Sequence, residues 1–491
     1  MKLAKLSLAA MVVAGLASSS FAADTLADAF KNGKVNGELK AWYFDQSADQ
    51  TNGRMNNANI TTLGAELGYV TDSLYGFKLG LTFQGSGNAG SAETSAKSTF
   101  KNDEYVGGGT LSEAYLAYTL GNTTAKVGRQ YIATPLVSGS GSRMFKESFE
   151  GAVLVNTDLP QTTLIAAYVD RFQARTSSVS QFPNVATSTS GTGYFPSFTA
   201  NSGTENGDAP TFEKSAAFTG GAAGGLVAKF DGAYSAGVIN KSINNLTLTG
   251  QYAIVKDVEA PLTVMNSTLK LVDDIDVYYT EANYVLPVAG FKLGFDANVR
   301  GSRTGDNLRA TNLDGTYAAG RISISELAGF GASFAYGSTS KDDAVIAGMG
   351  NGPTSYTSTM IRGTSTRMLA DTDSYLFQAT YDFGKLGLTG LTAVAQYGWT
   401  KQGDNADNMP TGRVTGTSDA SKTKAGRMSE VSADYTNAAI GLTYAVPALK
   451  GLTTSLQYET QERELNVGDT DFSKGSKMDT NELWFKAGYK F

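Results

Sequence analysis

Apolar and polar residues alternate along most of this chain. In the last eleven residues, NELWFKAGYKF, Leu483, Phe485, Ala487, Tyr489 and Phe491 share one parity, and Glu482, Trp484, Lys486, Gly488 and Lys490 share the other. Side chains of an extended strand point to opposite faces in turn, so the pattern predicts a strand with one apolar and one mostly polar face. It begins with Val35, Leu39, Ala41 and Tyr43 set against Asn36, Glu38 and Lys40, and returns at Leu63, Ala65, Leu67 and Tyr69 and at Phe77, Leu79, Leu81 and Phe83. LVAKFDGAYS, LTLTGQYAI, GFKLGFDANVR, SYLFQATYDFG and AIGLTYAV repeat it. About eighteen such segments follow one another, each near the roughly ten residues that a tilted strand needs to cross a bilayer.

The connectors alternate too. TDSLYG, LGNTT, INN, LPVAG, FGKLGLTG and VPALKG are short and rich in Gly, Asn and Pro, as tight turns require. Between them lie long polar stretches such as SGNAGSAETSAKSTFKNDEYVGGG and the Ser/Thr-rich run from Arg171 to Ser215. Short turns on one side and long loops on the other place the sheet between two different environments. Aromatic residues cap the apolar faces at Tyr43, Tyr69, Phe83, Tyr252, Tyr381, Phe383, Tyr397, Trp399, Tyr444 and Tyr458. Rings of this kind belong at the two interfaces of a membrane, so the apolar faces meet lipid and the polar faces meet water inside. The fold class predicted is all-β: a transmembrane antiparallel β-barrel of about eighteen strands over 34–491, with short periplasmic turns and long extracellular loops. A barrel that wide keeps an aqueous channel unless a loop narrows it.

Composition sharpens this. Residues 1–22 carry Lys2 and Lys5, an apolar run from Leu6 to Leu16 and small residues Ser20 and Ala22, the order of a secretory signal peptide. Residues 23–33 then form a short periplasmic segment able to make a turn or two of helix. The chain has no Cys and no His, which removes disulfides, thiol chemistry, His-ligated metals and His-dependent hydrolysis. No cofactor is implied, no nucleotide-binding loop stands up, and nucleic acid has no ordinary role in such a lumen. A siderophore-type transporter needs a plug domain ahead of the barrel, and only about a dozen residues separate the signal from the first strand. The net charge is −6, or −8 once Lys2 and Lys5 leave with the signal.

These features predict an outer-membrane porin that passes small hydrophilic solutes and ions by diffusion past a charged constriction. A surface-exposed adhesin or a structural outer-membrane protein is the alternative, because the outer loops are long and Ser/Thr-rich. The loop YIATPLVSGSGSRMFKESFEG is the third long connector and the one predicted to fold into the lumen, since Ser138 to Ser142 are small. It brings Arg143, Lys146, Glu147 and Glu150 with it. Strand parity adds inward cations at Lys40, Lys78, Lys292, Arg300, Arg321 and Lys486, opposed by Glu66, Glu113, Asp296 and Glu482. Lys486 and Lys490, near the periplasmic end, read as solvated lumen residues. Lys126 and Arg129 differ in parity, so one of them points outward.

The run KVGRQYIATPLVSGSGSRMFKESFEGAVL, 126–154, resembles the OprD-type porins at Gly128, Arg129, Gln130, Pro135, Leu136, Ser142, Arg143, Phe149 and Gly151. The segment LADAFKNGKVNGELKAWYFD looks like the epsilonproteobacterial major outer-membrane porins. The resemblance implies eighteen strands, an inward third loop and uptake past a ladder of basic side chains, and it favours Arg129 as the inward member of its pair. One departure is that Gly141 stands where some relatives carry an acidic residue. Outer-membrane barrels also resemble one another in ending on an aromatic strand read by the assembly machinery, here closed by Phe491. The expected surroundings are outer-membrane lipid and lipopolysaccharide, and general porins suggest a possible homotrimer.

Overall fold

The computed structural model describes residues 23–50, 57–89, 104, 106–175, 207–220, 226–264, 267–311, 313–361, 367–403, 423–424, 427–428, 431–467 and 477–491. Residues 1–22, the predicted signal peptide, and most of the second, fourth, eighth and ninth long connectors lie outside the described residues.

Eighteen long strands run in sequence: β1 Lys34–Gln50, β2 Ala58–Val70, β3 Phe77–Asn88, β4 Val106–Leu120, β5 Thr123–Gln130, β6 Ser148–Asn156, β7 Thr162–Gln173, β8 Gly232–Asn240, β9 Leu246–Val264, β10 Ser267–Val288, β11 Phe291–Thr304, β12 Thr316–Leu327, β13 Phe330–Thr339, β14 Thr372–Asp382, β15 Leu391–Gln402, β16 Val431–Ala445, β17 Leu452–Val467 and β18 Lys477–Lys490. Each pairs antiparallel with the next, and β1 pairs with β18 over Glu38↔Lys490 to Gln50↔Met478. The sheet is therefore a closed barrel with no free edge, the only strand architecture that satisfies every backbone group in hydrocarbon. Phe491 continues the closure, exchanging two 3.1 Å backbone hydrogen bonds with Gly37.

Local chemistry explains the turns. β12 and β13 are joined by Ala328 and Gly329 alone, with φ of 50° and 91°, the left-handed pair a two-residue hairpin demands. All the short connectors sit at one end of the barrel, together with a six-residue helix, α1 Leu26–Lys31. The Thr25 side chain caps that helix by accepting from the Asp28 N–H. Its Ala29 carbonyl accepts from Asp72 in the turn between β2 and β3.

Which parity faces outward is settled by exposure. Leu39, Leu63, Val127 and Ile440 are more than half exposed, although they lie in the middle of a sheet. Their opposite-parity neighbours Lys40, Thr62 and Ala439 are buried. Outward aromatics form a stacked row near the long-loop end, Tyr336 to Tyr375 at 4.9 Å and Tyr375 to Trp399 at 4.8 Å. Tyr69, Tyr381 and Tyr444 mark the other end.

Two features depart from the sequence reading. LVAKFDGAYS is not one strand: Leu226–Lys229 is a short separate strand, and β8 starts only at Gly232. The inward face of β6 to β10 is not polar either. Val153, Val155, Ile165, Val169, Ala233, Val255, Ile275 and Val277 point inward and are buried in an apolar cluster with Leu136, Phe149, Phe218, Ile346 and Met349. Loops rather than water cover this arc, so period-two alternation is blurred there. Polar wall is left to β11–β18 and to β1–β4.

Replacing outward Leu63 by Arg is expected to destabilise the barrel by about 2–4 kcal/mol in a bilayer, the cost of a charge near mid-membrane. Denaturant titration in lipid vesicles measures it, and a loss under about 1 kcal/mol would contradict lipid contact at this face.

Candidate pore constriction

The third long connector, loop 3, covers 131–147 and is fixed at both feet. At its start, buried Gln130 donates to the carbonyls of Lys126, Gly128 and Gly151. At its end, Ser148 Oγ donates to the carbonyls of Ser112 at 2.6 Å and Gln130 at 3.0 Å. Between the feet, side chains from opposite walls hold the loop. Gln251 of β9 accepts from the Leu136 N–H at 2.9 Å. Gln84 of β3 accepts from the Lys146 N–H at 2.8 Å and returns a bond to its carbonyl at 3.0 Å. Lys40 of β1 donates to the Met144 carbonyl at 3.0 Å, and Lys486 of β18 to the Ser142 carbonyl at 2.8 Å. A segment bonded by walls this far apart around the ring lies inside the barrel. Ser138 to Ser142 are stitched in place rather than loose.

An aromatic platform carries the other side of loop 3. Trp42, Phe44 and Trp484 face inward, meeting edge to face at 6.0 and 5.3 Å, and bury Met144 and Phe145 against them. Lys486 lies over the Trp42 and Trp484 rings at 4.2 and 4.4 Å, and Arg143 lies over Trp484 at 4.6 Å. Lys486 therefore anchors a loop and is not the merely solvated residue that its place near the chain end suggested. The sequence signal was present: Trp42, Phe44 and Trp484 are large aromatics on a parity otherwise polar.

A second inward loop, loop 7, described over 340–361 and 367–371, was not foreseen. Arg300, buried on β11, donates to the carbonyls of Ala347 at 3.3 Å and Thr354 at 2.9 Å. Across the barrel, buried Glu459 of β17 accepts from Thr359 Oγ1 at 2.6 Å and from the Ile361 N–H at 2.9 Å. Tyr356 of loop 7 donates its hydroxyl to Glu281 of β10. Burial, and then the Glu281 carboxylate, push this phenol well above its usual range, so it remains a neutral donor. The apolar stretch AVIAGM within an otherwise polar connector was the sequence clue to this inward fold.

The predicted charges divide into three groups. The first comprises ion pairs on loop 3 and the inward wall. Arg143 pairs with Glu104 at 3.1 Å, and Lys146 with Glu66 at 2.7 Å and Glu38 at 3.7 Å. Lys126 pairs with Glu113 at 3.3 Å, and Arg321 grips Asp296 with two nitrogens at 2.9 and 2.7 Å while lying 4.6 Å over the Tyr356 ring. For Arg143, Lys146 and Arg321 the cation is the more open partner, the Arg321 side chain being 35 % exposed against 6 % for Asp296 and Lys146 29 % against 11 % for Glu66, whereas Lys126 and Glu113 are about equally covered. A second group holds loops in place, and contains Arg300 and Glu147, which is fully buried.

The third group lies elsewhere. Arg129 and Glu150 pair with each other at 3.0 Å, and their strand neighbours in register are Ala114 and Arg171. They share the parity of exposed Val127, Leu116 and Leu154, so both belong to the outer face. Gly128 takes φ of 118° without shifting the register, so parity is conserved and Lys126 is the inward residue, contrary to the expectation for Arg129. Lys292 pairs with Glu326 at 2.7 Å, largely exposed at the short-turn rim and away from both loops.

Comparison with known proteins matches this architecture. Residues 1–204 match the Campylobacter major outer membrane protein family. Among solved structures from Pseudomonas aeruginosa, OccK9 (OpdG) superposes with a TM-score of 0.65 at 16% identity, covering 94% of this chain and all of its own. OpdK, solved with vanillate, gives 0.64 at 15% identity over 94% of this chain and 100% of its own. OpdO gives 0.61 at 18% identity over 95% and 98%. The chain shares the closed eighteen-strand barrel fold of these outer-membrane porins. The barrel crosses the outer membrane of a Gram-negative cell with its strands. Curated protein sequences contain no match to it.

Substituting Arg321 by Ala removes an open cation from the polar wall and leaves Asp296 uncovered. The cation-to-anion permeability ratio is expected to rise roughly twofold, as fixed charge in a narrow pore dictates. Reversal potentials across a salt gradient check it, and an unchanged ratio would remove Arg321 from the solute path.

Proposed function

We propose that this porin passes small hydrophilic solutes and ions by passive diffusion, through a water-filled path bounded by loop 3, loop 7 and the polar wall of β11–β18 and β1–β4. The observation that carries this reading is the pairing of open cations, Arg321 on that wall and Arg143 and Lys146 on loop 3, with more covered carboxylates. Each carboxylate holds its Arg or Lys in place from behind, so a passing solute meets N–H donors first. Solutes bearing a carboxylate suit such a surface, and OpdK, the relative solved with vanillate, was solved with a molecule of that class. Net acidity of the chain does not oppose this, because local charge, not the total, sets the field in a narrow passage.

On this reading the short turns lie in the periplasm and the long loops outside the cell. Residues 1–22 are the export signal, and Phe491 is read by the assembly machinery. A homotrimer is a further expectation, and lipopolysaccharide surrounds the outer rim.

The direct test is planar-bilayer recording of the purified protein. Stable open channels are expected, and Arg143→Gln is expected to shift their reversal potential toward cations. Absence of conductance with intact heat-modifiable barrels would contradict the porin reading, and an unchanged reversal potential would take Arg143 out of the constriction.

A further inference from the structure

Inside the barrel, three loops meet along a small inner sheet. Ser215–Gly220, from the connector between β7 and β8, pairs antiparallel with Ile346–Met349 of loop 7. Loop 3 joins it through a single parallel bridge between Val137 and Met349. The Met349 N–H donates to the Leu136 carbonyl at 2.8 Å, Ser138 donates to Met349 at 3.0 Å, and Gly352 donates to Ser138 at 2.9 Å. The approach is close enough to need glycine. Gly350 has φ of 83°, and a Cβ there would meet the Ser138 carbonyl oxygen.

One side chain binds all three loops. Glu147, at the end of loop 3, accepts from the Ser140 N–H of its own loop at 2.9 Å. It accepts from the Asn351 N–H of loop 7 at 2.8 Å and from the Asn351 side-chain amide. Arg175, which follows β7, places its Nε 3.4 Å away. The carboxylate has no exposed surface. A buried charge is tolerated only when it is paired and hydrogen-bonded, and here three hydrogen bonds from loops 3 and 7 and the ion pair with Arg175 supply that. Removing it would leave the buried N–H donors of Ser140 and Asn351 without this acceptor, which favours separation of the loops and entry of water.

We propose that Glu147 is a positioning residue that fixes the width of the pore, by latching loop 3 to loop 7. It does not touch the solute. Loop 3 reaches from Gln251 to Lys40 and Lys486, and loop 7 from Arg300 to Glu459, so the two loops approach from different walls and their junction sets how much of the lumen stays open. The proposal rests on the porin reading, since width has a meaning only for a conducting channel.

The chain has no cysteine, which gives a clean test. Val137 and Met349, as bridge partners, stand at a separation that suits a disulfide. Single-channel conductance and polymer-exclusion size are measured for the wild type, Glu147→Ala, Asn351→Ala, and Glu147→Ala carrying Val137→Cys with Met349→Cys, each checked for a folded barrel by gel mobility. Glu147→Ala is expected to raise conductance severalfold and admit larger polymers, and Asn351→Ala to do so less. Oxidising the cysteine pair should return both values to the wild type, and reducing it should release them again, a reversal that a general loss of stability would not show. Wild-type conductance in both single variants, or a raised conductance that the cross-link leaves unchanged, overturns the latch. If Glu147→Ala does not fold, Asn351→Ala and the wild type with the cysteine pair decide by the same readings. A wild-type protein that conducts nothing overturns the porin reading itself, before any variant is compared.

Discussion

Hydrocarbon offers no partner to a peptide group, and that constraint shapes this molecule from end to end. A strand in lipid is stable only if both of its edges are paired, so the first strand must find the last. Here Lys34–Gln50 meets Lys477–Lys490 over thirteen register positions, Glu38 to Gln50. Once the ring is closed, each residue of a strand points either to lipid or to the interior. The parity of the chain thereby becomes a map of two solvents.

The interior is then the unusual place. It is wide, and loops 3 and 7 enter it, so the protein must satisfy loop backbone far from bulk water. It does so with inward side chains that imitate backbone: Gln84 and Gln251 bond loop N–H and carbonyl groups, Lys40, Lys486 and Arg300 bond carbonyls, and Glu147 and Glu459 bond N–H groups. Many polar residues on the lumen wall thus serve the loops. Those left with open surface, Lys146 and Arg321 above all, are held by carboxylates that are themselves covered.

Much of this was legible in the sequence, because period-two alternation and Gly/Asn turns are local signals. The strands, the short-turn end and the inward parity of Lys40, Glu66, Asp296 and Arg321 follow from them. What failed was whatever depended on contacts between loops. The apolar inward face of β6–β10 looked like ordinary strand, since no local rule says that loops rather than water will cover Val153 or Val255. Loop 7 resembled other polar connectors apart from AVIAGM. Arg129 was misplaced because a motif was weighted above parity, and the parity of Val127 was the better guide. Lys486 was misjudged because its distance from the chain end said nothing of Trp42 and Trp484 beside it.

The claim on which all of this depends is that the two parities of the wall face different solvents. Ser323 and Ser333 are register partners on the inward parity, and Ile322 and Phe334 are partners one step along on the outward parity. Single cysteines at these four positions, in a chain that has none, should be treated with a charged, membrane-impermeant thiol reagent during bilayer recording. Stepwise block at 323 and 333 with no change at 322 and 334 is the predicted result. Block at 322 and 334 with 323 and 333 silent, or equal reactivity at all four, would contradict the account.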